Sequence, residues 1–344
     1  MNRKKILPML TAISLSSLVA LSGCTSLATP KNSSTEHVNS GVTQQENAMM
    51  QHLQAFQKIA EQHHGNRAVG TAGGLASAQY ILDQAKKAGF HAQMLPFENR
   101  EKTVGQNIVV EIEGQPKDSA VIVGAHYDSV KMGPGINDNG SGVALVLQLM
   151  HTLAAQKEKP KHTVYLAFWD SEEVGIAGSS AFAEKLSAEQ LKGIKAYINV
   201  DMVGTKNPTV MIADASKSSV DEMEKMLKER GLDGADYQQL LAGMRAIPSH
   251  AGDLALEQTL MAFLKQKGIV AKKDISTLTA SDTAPFLGKV PVASIILFNE
   301  QLKNDVLEFA PCYHQACDTL DQVDPKSLTL ASEMVWHLLD SIDE

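Results

Sequence analysis

Six consecutive small or apolar residues, Ala120 to Ala125, run directly into His126-Tyr-Asp128. A strand that is apolar on both faces must be covered on both faces, which is the situation of a central strand in a parallel sheet. Thr163 to Trp169 repeats the pattern and runs out into Asp170-Ser-Glu172-Glu173, and Ala196 to Val200 ends at Asp201. Thr209–Ile212 and Val290–Leu297 read as further strands, with Gln93–Phe97 and Asn107–Glu113 before them. Helical periodicity separates these runs at 47–63, 74–89 (stopped by Gly89), Val143–Ala155, Ala177–Leu186, 218–230, 252–267 and 326–342. Strands alternating with helices predict a three-layer α/β/α sandwich around a mixed, mostly parallel sheet. With no internal repeat and no linker after residue 47, residues 47–344 read as one domain.

Charge removes two classes of partner. There are 31 basic and 39 acidic residues, a net charge of −8. The first 23 residues hold Arg3, Lys4, Lys5 and no acid, so the rest of the chain stands at −11. Nucleic-acid affinity rests on Lys and Arg meeting phosphates, so no nucleic-acid partner is expected. The longest apolar run, Ile6 to Leu21, is sixteen residues and is interrupted by Thr and Ser. A spanning helix needs about 20 apolar residues, which excludes a multi-pass membrane protein.

That apolar run, with its basic start, reads as an export signal covering residues 1–23. It ends in Leu21-Ser-Gly-Cys24, which resembles a bacterial lipobox and implies a lipidated Cys24 at the new N-terminus; a plain secretory signal is the alternative. Residues 24–46 are then the anchor and a polar, disordered tether, since so few large apolar residues cannot offset the entropy of ordering. Thr25, where Asp would favour inner-membrane retention, points to an envelope lipoprotein of the outer membrane. Only Cys312 and Cys317 remain. In an exported chain an even remainder of two predicts a disulfide, which here would orient the enclosed Tyr313 and His314.

The polar residues collect where open α/β sheets carry their sites, at the C-terminal ends of strands. They are His126 and Asp128, Asp138 in a Gly-rich turn (133–142), Glu172-Glu173, Asp201, and His314 in the disulfide loop. Any one of them alone is more often a structural polar residue, and the other nine histidines are read that way. Burying several like charges together is prohibitive unless cations compensate them. Two imidazoles and three carboxylates exceed the three protein ligands of a typical catalytic zinc, but suit two ions sharing one carboxylate. H-E-x-x-H, G-x-S-x-G and the phosphate-binding glycine motifs are all absent from the sequence.

His126-x-Asp128, Gly135-Ile-Asn-Asp138-Asn-Gly-Ser-Gly142, Ser171-Glu172-Glu173-x-Gly175, Asn199-Val-Asp201 and Cys312-Tyr-His314-Gln-Ala-Cys317-Asp318-Thr resemble, in order and spacing, the M28 family of di-zinc metallopeptidases. Among them the secreted bacterial aminopeptidases of the Streptomyces and Vibrio type are the nearest likeness, over about 105–342. The resemblance implies a phosphorylase/hydrolase-like sandwich and two Zn²⁺ ions bridged by Asp138. His126 and Asp201 would complete one site, Glu173 and His314 the other. It also implies Glu172 as general base, Asp128 as the partner of His126, and Tyr313 as a holder of the substrate carbonyl. The expected substrates are peptides with a free N-terminus.

Three alternatives arise from the same likeness. A glutaminyl cyclase shares the fold but retains one zinc, against which the five-ligand set speaks. A carboxypeptidase or dipeptidase needs a cation for the C-terminal carboxylate, with Arg245 as a candidate. A non-catalytic binding lipoprotein would lack ligands or the base. Two departures stand out: Thr283 follows Ser281-Asp282 where relatives often carry His, and the segment 214–280 is longer than in the small secreted enzymes, so that it could shape the pocket rim.

Overall fold

Parity along the central strands decides which residues meet which helices, because successive side chains of a strand point to opposite faces. The computed structural model describes residues 33–116, 118–232, 234–303 and 306–343. The expected signal peptide, Cys24 and the tether as far as residue 32 lie outside the described residues. The chain divides into two units, Met1–Asn39 and Ser40–Glu344, and the larger unit holds the sheet.

Eight strands form that sheet: β1 (Ala92–Glu98), β2 (Val104–Ile112), β3 (Ala120–His126), β4 (Thr163–Trp169), β5 (Ile194–Asp201), β6 (Thr209–Ala213), β7 (Lys272–Asp274) and β8 (Val292–Phe298). Their order is β1-β2-β4-β3-β5-β8-β6-β7. The four central strands, β4, β3, β5 and β8, are parallel neighbours. β2 runs antiparallel to β4 and β6 antiparallel to β8. A mixed, mostly parallel sheet was expected, and this is one.

Val121, Val123 and Ala125, with Val164, Leu166 and Phe168, and with Ala196, Ile198 and Val200, share one core. It is closed by helices α1 (Ser33–Gln62), α2 (Ala72–Lys87), α3 (Ser141–Ala155), α8 (Asp253–Gln266) and α9 (Pro325–Asp343). Residues of the other parity, Ile122, Ala167, Trp169 and Tyr197, form a second core. It is covered by α4 (Ala177–Ala183), α6 (Ser218–Glu229) and α7 (Ala235–Arg245), with Phe286.

Three differences from the sequence reading have physical causes. The helix expected from 47 starts at Ser33, so residues 33–46 of the expected disordered tether are helical. Met49, Leu53 and Phe56 are fully buried and anchor that helix; once a nucleus exists, each further residue adds a hydrogen bond for little cost. Helix α7 was not anticipated, because it buries only Leu241 and so carries no apolar stripe. The same holds for the short α5 (Ala188–Gly193), which buries nothing. Elsewhere the expected ends hold closely: Gly89 takes φ +85° just past α2, where a side chain would be strained.

Candidate metal centre

Register brings the strand ends to one line. His126 pairs with Trp169, and Gly124 pairs with Asn199, so two residues further on His126 stands level with Asp201. The chain leaves β3 through Tyr127 and Asp128 and returns to α3 through the turn Ile136–Gly140. Gly135 enters that turn at φ +60°, with the Asp138 carbonyl oxygen 2.4 Å from where a β-carbon would sit. Asp138 departs from helical geometry (φ −107°, ψ 96°). The main-chain N–H groups of Asn137 and Asp138 donate to Asp318 Oδ1 and Oδ2 at 2.9 and 3.0 Å. Asn139 laces the turn to β5, donating to the Val200 carbonyl at 2.9 Å and accepting from the N–H of Gly142.

Beyond β4, Asp170 Oδ2 accepts from Gln106 N–H at 2.9 Å and from the Tyr127 hydroxyl at 3.0 Å. Ser171 then turns the chain at φ +61°. The next two N–H groups, of Glu172 and Glu173, donate to the two oxygens of Asp128 at 3.0 and 3.3 Å. Asp128 therefore fixes the Glu172-Glu173 pair through its carboxylate. His126 Nδ1 lies 3.2 Å from the Asp128 main-chain oxygen and 3.4 Å from Oδ1. That leaves Nε2 facing outward, the tautomer being inferred from these contacts.

Cys312 and Cys317 form a disulfide with their Cα atoms 5.3 Å apart, as the cysteine count predicted. Within it Tyr313 stacks on His314 at 3.7 Å between centroids. His314 Nε2 lies 3.2 Å from Asp138 Oδ2 and 3.1 Å from Glu173 Oε2. His126 Nε2 lies 3.3 Å from Asp138 Oδ1 and 3.6 Å from Asp201 Oδ1. Two groups of three that could hold an ion result, His126–Asp138–Asp201 and Asp138–Glu173–His314, with the ligand atoms of each within 4.8 Å of one another.

Whether these residues suit metal ions can be judged from atoms the protein leaves unserved. Asp201 Oδ1 and Glu173 Oε1 are buried and have no hydrogen-bond partner among the described residues. An acceptor abandoned in this way costs about 1–3 kcal/mol, which a bound cation removes. Protonation equilibria of the protein alone record the same crowding. Burial, then the nearby Asp138 charge, pushes Glu173 up to about 7. Burial raises Glu172 well above the usual carboxylate range, with Asp282, Asp201 and Glu173 adding to it. Burial opposes the charge on Asp138 too, but the hydrogen bonds from His126 and His314 outweigh it and hold it low. Burial likewise disfavours charge on His314, yet Asp138 and Glu173 lift it to about 10. Two imidazoles and three carboxylates, two of them with an unserved oxygen, are a donor set that suits zinc.

Beside these groups lies a cavity of about 90 Å³. Asp138, Glu172 and Asp201 face it, and Met202, Ile296, Phe298 and Phe309 give it an apolar wall. Tyr313 and His314 line it as well, as do Ser276 and Ala280 from the end of the 214–280 segment.

All eight residues singled out from the sequence for metal binding and catalysis thus converge. Cys24 lies outside the described residues. Arg245 is not at the cavity; it pairs with Asp221 at 2.8 Å and Glu224 at 2.5 Å. Sequence reasoning missed Arg67, fully buried behind the turn, and the positioning roles of Asp318 and Ser281. Asp318 stood next to the cysteine motif, which was its only signal; Arg67 gave none, being one of many basic residues.

A sequence profile of peptidase family M28 matches residues 107–339. The chain belongs to peptidase family M28. It is 27% identical over 299 residues to leupeptin-inactivating enzyme 1 of Streptomyces exfoliatus, covering 84% of this chain and 60% of that protein. It is 34% identical over 234 residues to the protein named probable lipoprotein aminopeptidase LpqL of Mycobacterium tuberculosis, covering 65% and 42% respectively. The chain thus spans roughly half the length of these curated relatives. Solved structures with the same fold include an aminopeptidase from Aneurinibacillus sp. strain AM-1, with TM-score 0.63 and 15% identity over 85% of this chain and 92% of that one. Another is the Porphyromonas gingivalis glutaminyl cyclase, with TM-score 0.62 and 20% identity over 86% and 98%. The fold is shared by both activities, so the choice between them falls to the site.

Proposed function

We propose that this protein is a zinc-dependent aminopeptidase that removes the N-terminal residue of peptides and is held at the cell envelope through a lipid on Cys24. One observation carries the reading: two ligand triads share Asp138, and Glu172 faces the same cavity. Asp138 would bridge the ions, His126 and Asp201 would complete one position, and Glu173 and His314 the other. A cyclase that holds one zinc would use only one of these two triads, whereas two ions would use both. Zinc bound there supplies Lewis-acid activation of water and of the substrate carbonyl.

The chain's own residues supply the rest. Glu172, held by its N–H on Asp128, takes a proton from the attacking water and returns it to the leaving amine. Burial, the first cause, raises its affinity for protons, which favours its taking one from water. Burial, then the surrounding carboxylates, also pushes the Tyr313 hydroxyl up. It therefore stays protonated and can donate to the carbonyl oxygen as negative charge develops there. The apolar wall of Met202, Ile296, Phe298 and Phe309 receives the side chain of the residue removed.

Support for the envelope location comes from the Leu21-Ser-Gly-Cys24 motif and from the named lipoprotein relative; the outer membrane is the preferred destination because Thr25 follows the cysteine. No described helix is long and apolar enough to cross a membrane. The deciding experiment joins metal analysis to hydrolysis of matched peptides with free and acetylated N-termini. Two zinc ions per chain and cleavage of the free peptide alone are expected. Cleavage that ignores acetylation, or release of residues from the C-terminus, overturns the aminopeptidase reading.

A further inference from the structure

Arg67 lies on the loop between α1 and α2, upstream of the segment matched by the family profile, yet it reaches the back of the loop that joins His126 to Asp138. Its side chain is fully buried. Each of its three nitrogens donates to a main-chain carbonyl of one loop: Nε to Pro134 at 2.8 Å, Nη1 to Tyr127, and Nη2 to Gly135. Its own N–H donates to the Ser129 hydroxyl at 2.9 Å, and that hydroxyl lies 3.0 Å from the carbonyls of both Val130 and Gly133, between which its proton is shared.

Those carbonyls are not scattered. Tyr127 immediately follows His126, while Pro134 and Gly135 enter the turn that carries Asp138. The loop between two proposed ligands is therefore pinned at both ends by one rigid planar group. The guanidinium is braced in turn by α1, resting over the Phe56 ring at 5.1 Å. The same helix holds the opposite side of the turn, since Gln57 Oε1 accepts from the N–H of Leu320, two residues past Asp318. Asp318 grips the N–H groups of Asn137 and Asp138.

We propose that Arg67 is a positioning residue for the metal centre, clasping the 127–135 loop so that His126 and Asp138 are held at the spacing a shared ion requires. This rests on the zinc reading above. It makes the N-terminal segment of the domain, which carries no ligand, part of the metal site. Lysine keeps the charge but presents donors from a single point, so it cannot span three carbonyls that a planar fork reaches together.

The test measures zinc affinity by chelator competition in the wild-type protein and in Arg67→Lys, with circular dichroism to check folding. Wild type should hold two ions. Arg67→Lys should bind zinc 10- to 100-fold more weakly, the range found when groups supporting metal ligands are altered, and excess zinc should restore turnover. If Arg67→Lys does not fold, Ser129→Ala decides. It removes only the hydroxyl that links Arg67 N–H to the Val130 and Gly133 carbonyls, and should weaken zinc binding several-fold. Wild-type affinity in the folded Arg67→Lys, or in Ser129→Ala where that variant is needed, overturns the proposal. So does an Arg67→Lys protein that loses equal thermal stability with and without zinc, which is what a purely structural residue would give. Absence of zinc from the wild type would instead overturn the metal-centre reading itself.

Discussion

The Ser281 hydroxyl donates to Asp201 Oδ2 at 2.7 Å, leaving the other oxygen, Oδ1, as the atom that faces His126. Ser281 is itself fixed, accepting from Asn199 Nδ2 at 3.0 Å. Asn199 Oδ1 accepts from the Tyr197 hydroxyl at 3.0 Å, and that hydroxyl accepts from Trp169 Nε1, also at 3.0 Å. One indole N–H thus sets the direction of every hydrogen bond down to the carboxylate. Because all five residues are buried, none of these groups has water as a substitute partner.

Ser281→Ala should therefore free Asp201 to rotate and weaken the zinc position that includes His126. A loss of about tenfold in affinity is expected from the usual effect of removing a group that orients a ligand. Metal titration followed by chelator competition checks it. An unchanged affinity for both ions would mean that β5 alone orients Asp201.

Glu172 lies beside a proposed ligand but outside both triads. Glu172→Ala should keep two zinc ions and lose catalysis by about 10²- to 10⁴-fold, the usual contribution of a positioned acid–base group. The measurement pairs metal content with kcat on a free-amine peptide. Near-wild-type turnover would remove Glu172 from the reaction.

The buried strands and their polar ends were legible because a β-strand buried on both faces has to be written as a continuous apolar run, as Ala120–Ala125 is. The ligands were legible because each sits at such an end, in a glycine-rich turn or, for His314, between the two remaining cysteines. Helix α7 was hidden for the opposite reason: Tyr237 and Leu240 are exposed and only Leu241 is buried, so periodicity was missing. Arg67 was hidden because its partners are main-chain carbonyls some sixty residues away, and carbonyls have no sequence signature. The role of Asp128 was only half legible. Two-residue spacing pairs it with His126, but its bonds to the N–H groups of Glu172 and Glu173 arise from two strands meeting in space.

Metal-free protein should become less stable as pH rises from about 4 through 7. Burial, with the charges nearby, lifts Glu173, Asp170, Asp282 and Asp318 each to about 7 in the folded chain. Over that range the unfolded chain has released these protons while the folded chain still holds them. Fewer protons bound in the unfolded state means that unfolding free energy falls with pH. His314, lifted to about 10 despite its burial, extends the loss to higher pH: its stabilisation is complete below its ordinary value of 6.5 and disappears as pH passes the raised one. Asp138, held low, acts in the reverse sense in strong acid, and His52 and His151, both lowered by burial, offset part of the decline below their ordinary value of 6.5. Zinc needs the deprotonated ligands, Glu173 and His314 among them, so the loaded protein should show a smaller decline. Thermal melts from pH 5 to 8, with chelator and with zinc, measure the contrast. A metal-free melting temperature that rises across this range would contradict the crowding of buried acids.

Thr283 is completely buried and its hydroxyl has no partner among the described residues. Thr283→Val preserves the shape and removes the unserved group, so stability should rise or stay level and peptide hydrolysis should not change. A drop in kcat/KM without a drop in melting temperature would assign that hydroxyl to the substrate.

His314 depends on a loop that the disulfide closes. Cys312 and His314 both adopt left-handed backbone, at φ +66° and +56°, which side-chain-bearing residues seldom hold unless the surroundings impose it. The neighbouring 129–134 loop packs tightly on it, with the Gln315 carbonyl oxygen 2.2 Å from where a β-carbon on Gly133 would lie. So short a ring gains little from loop-closure entropy, and its effect should appear in geometry more than in overall stability. A Cys312→Ser/Cys317→Ser protein, preferable to reduction because thiols strip zinc, should keep its fold while His314 relaxes. The triad of Asp138, Glu173 and His314 then loses a ligand, whereas His126, Asp138 and Asp201 stay fixed by β3, the 136–140 turn and β5. Zinc content should fall from two ions per chain toward one, and hydrolysis should fall with it. Two ions and an unchanged rate in the serine variant would make the disulfide a fastener of the loop with no bearing on the metal.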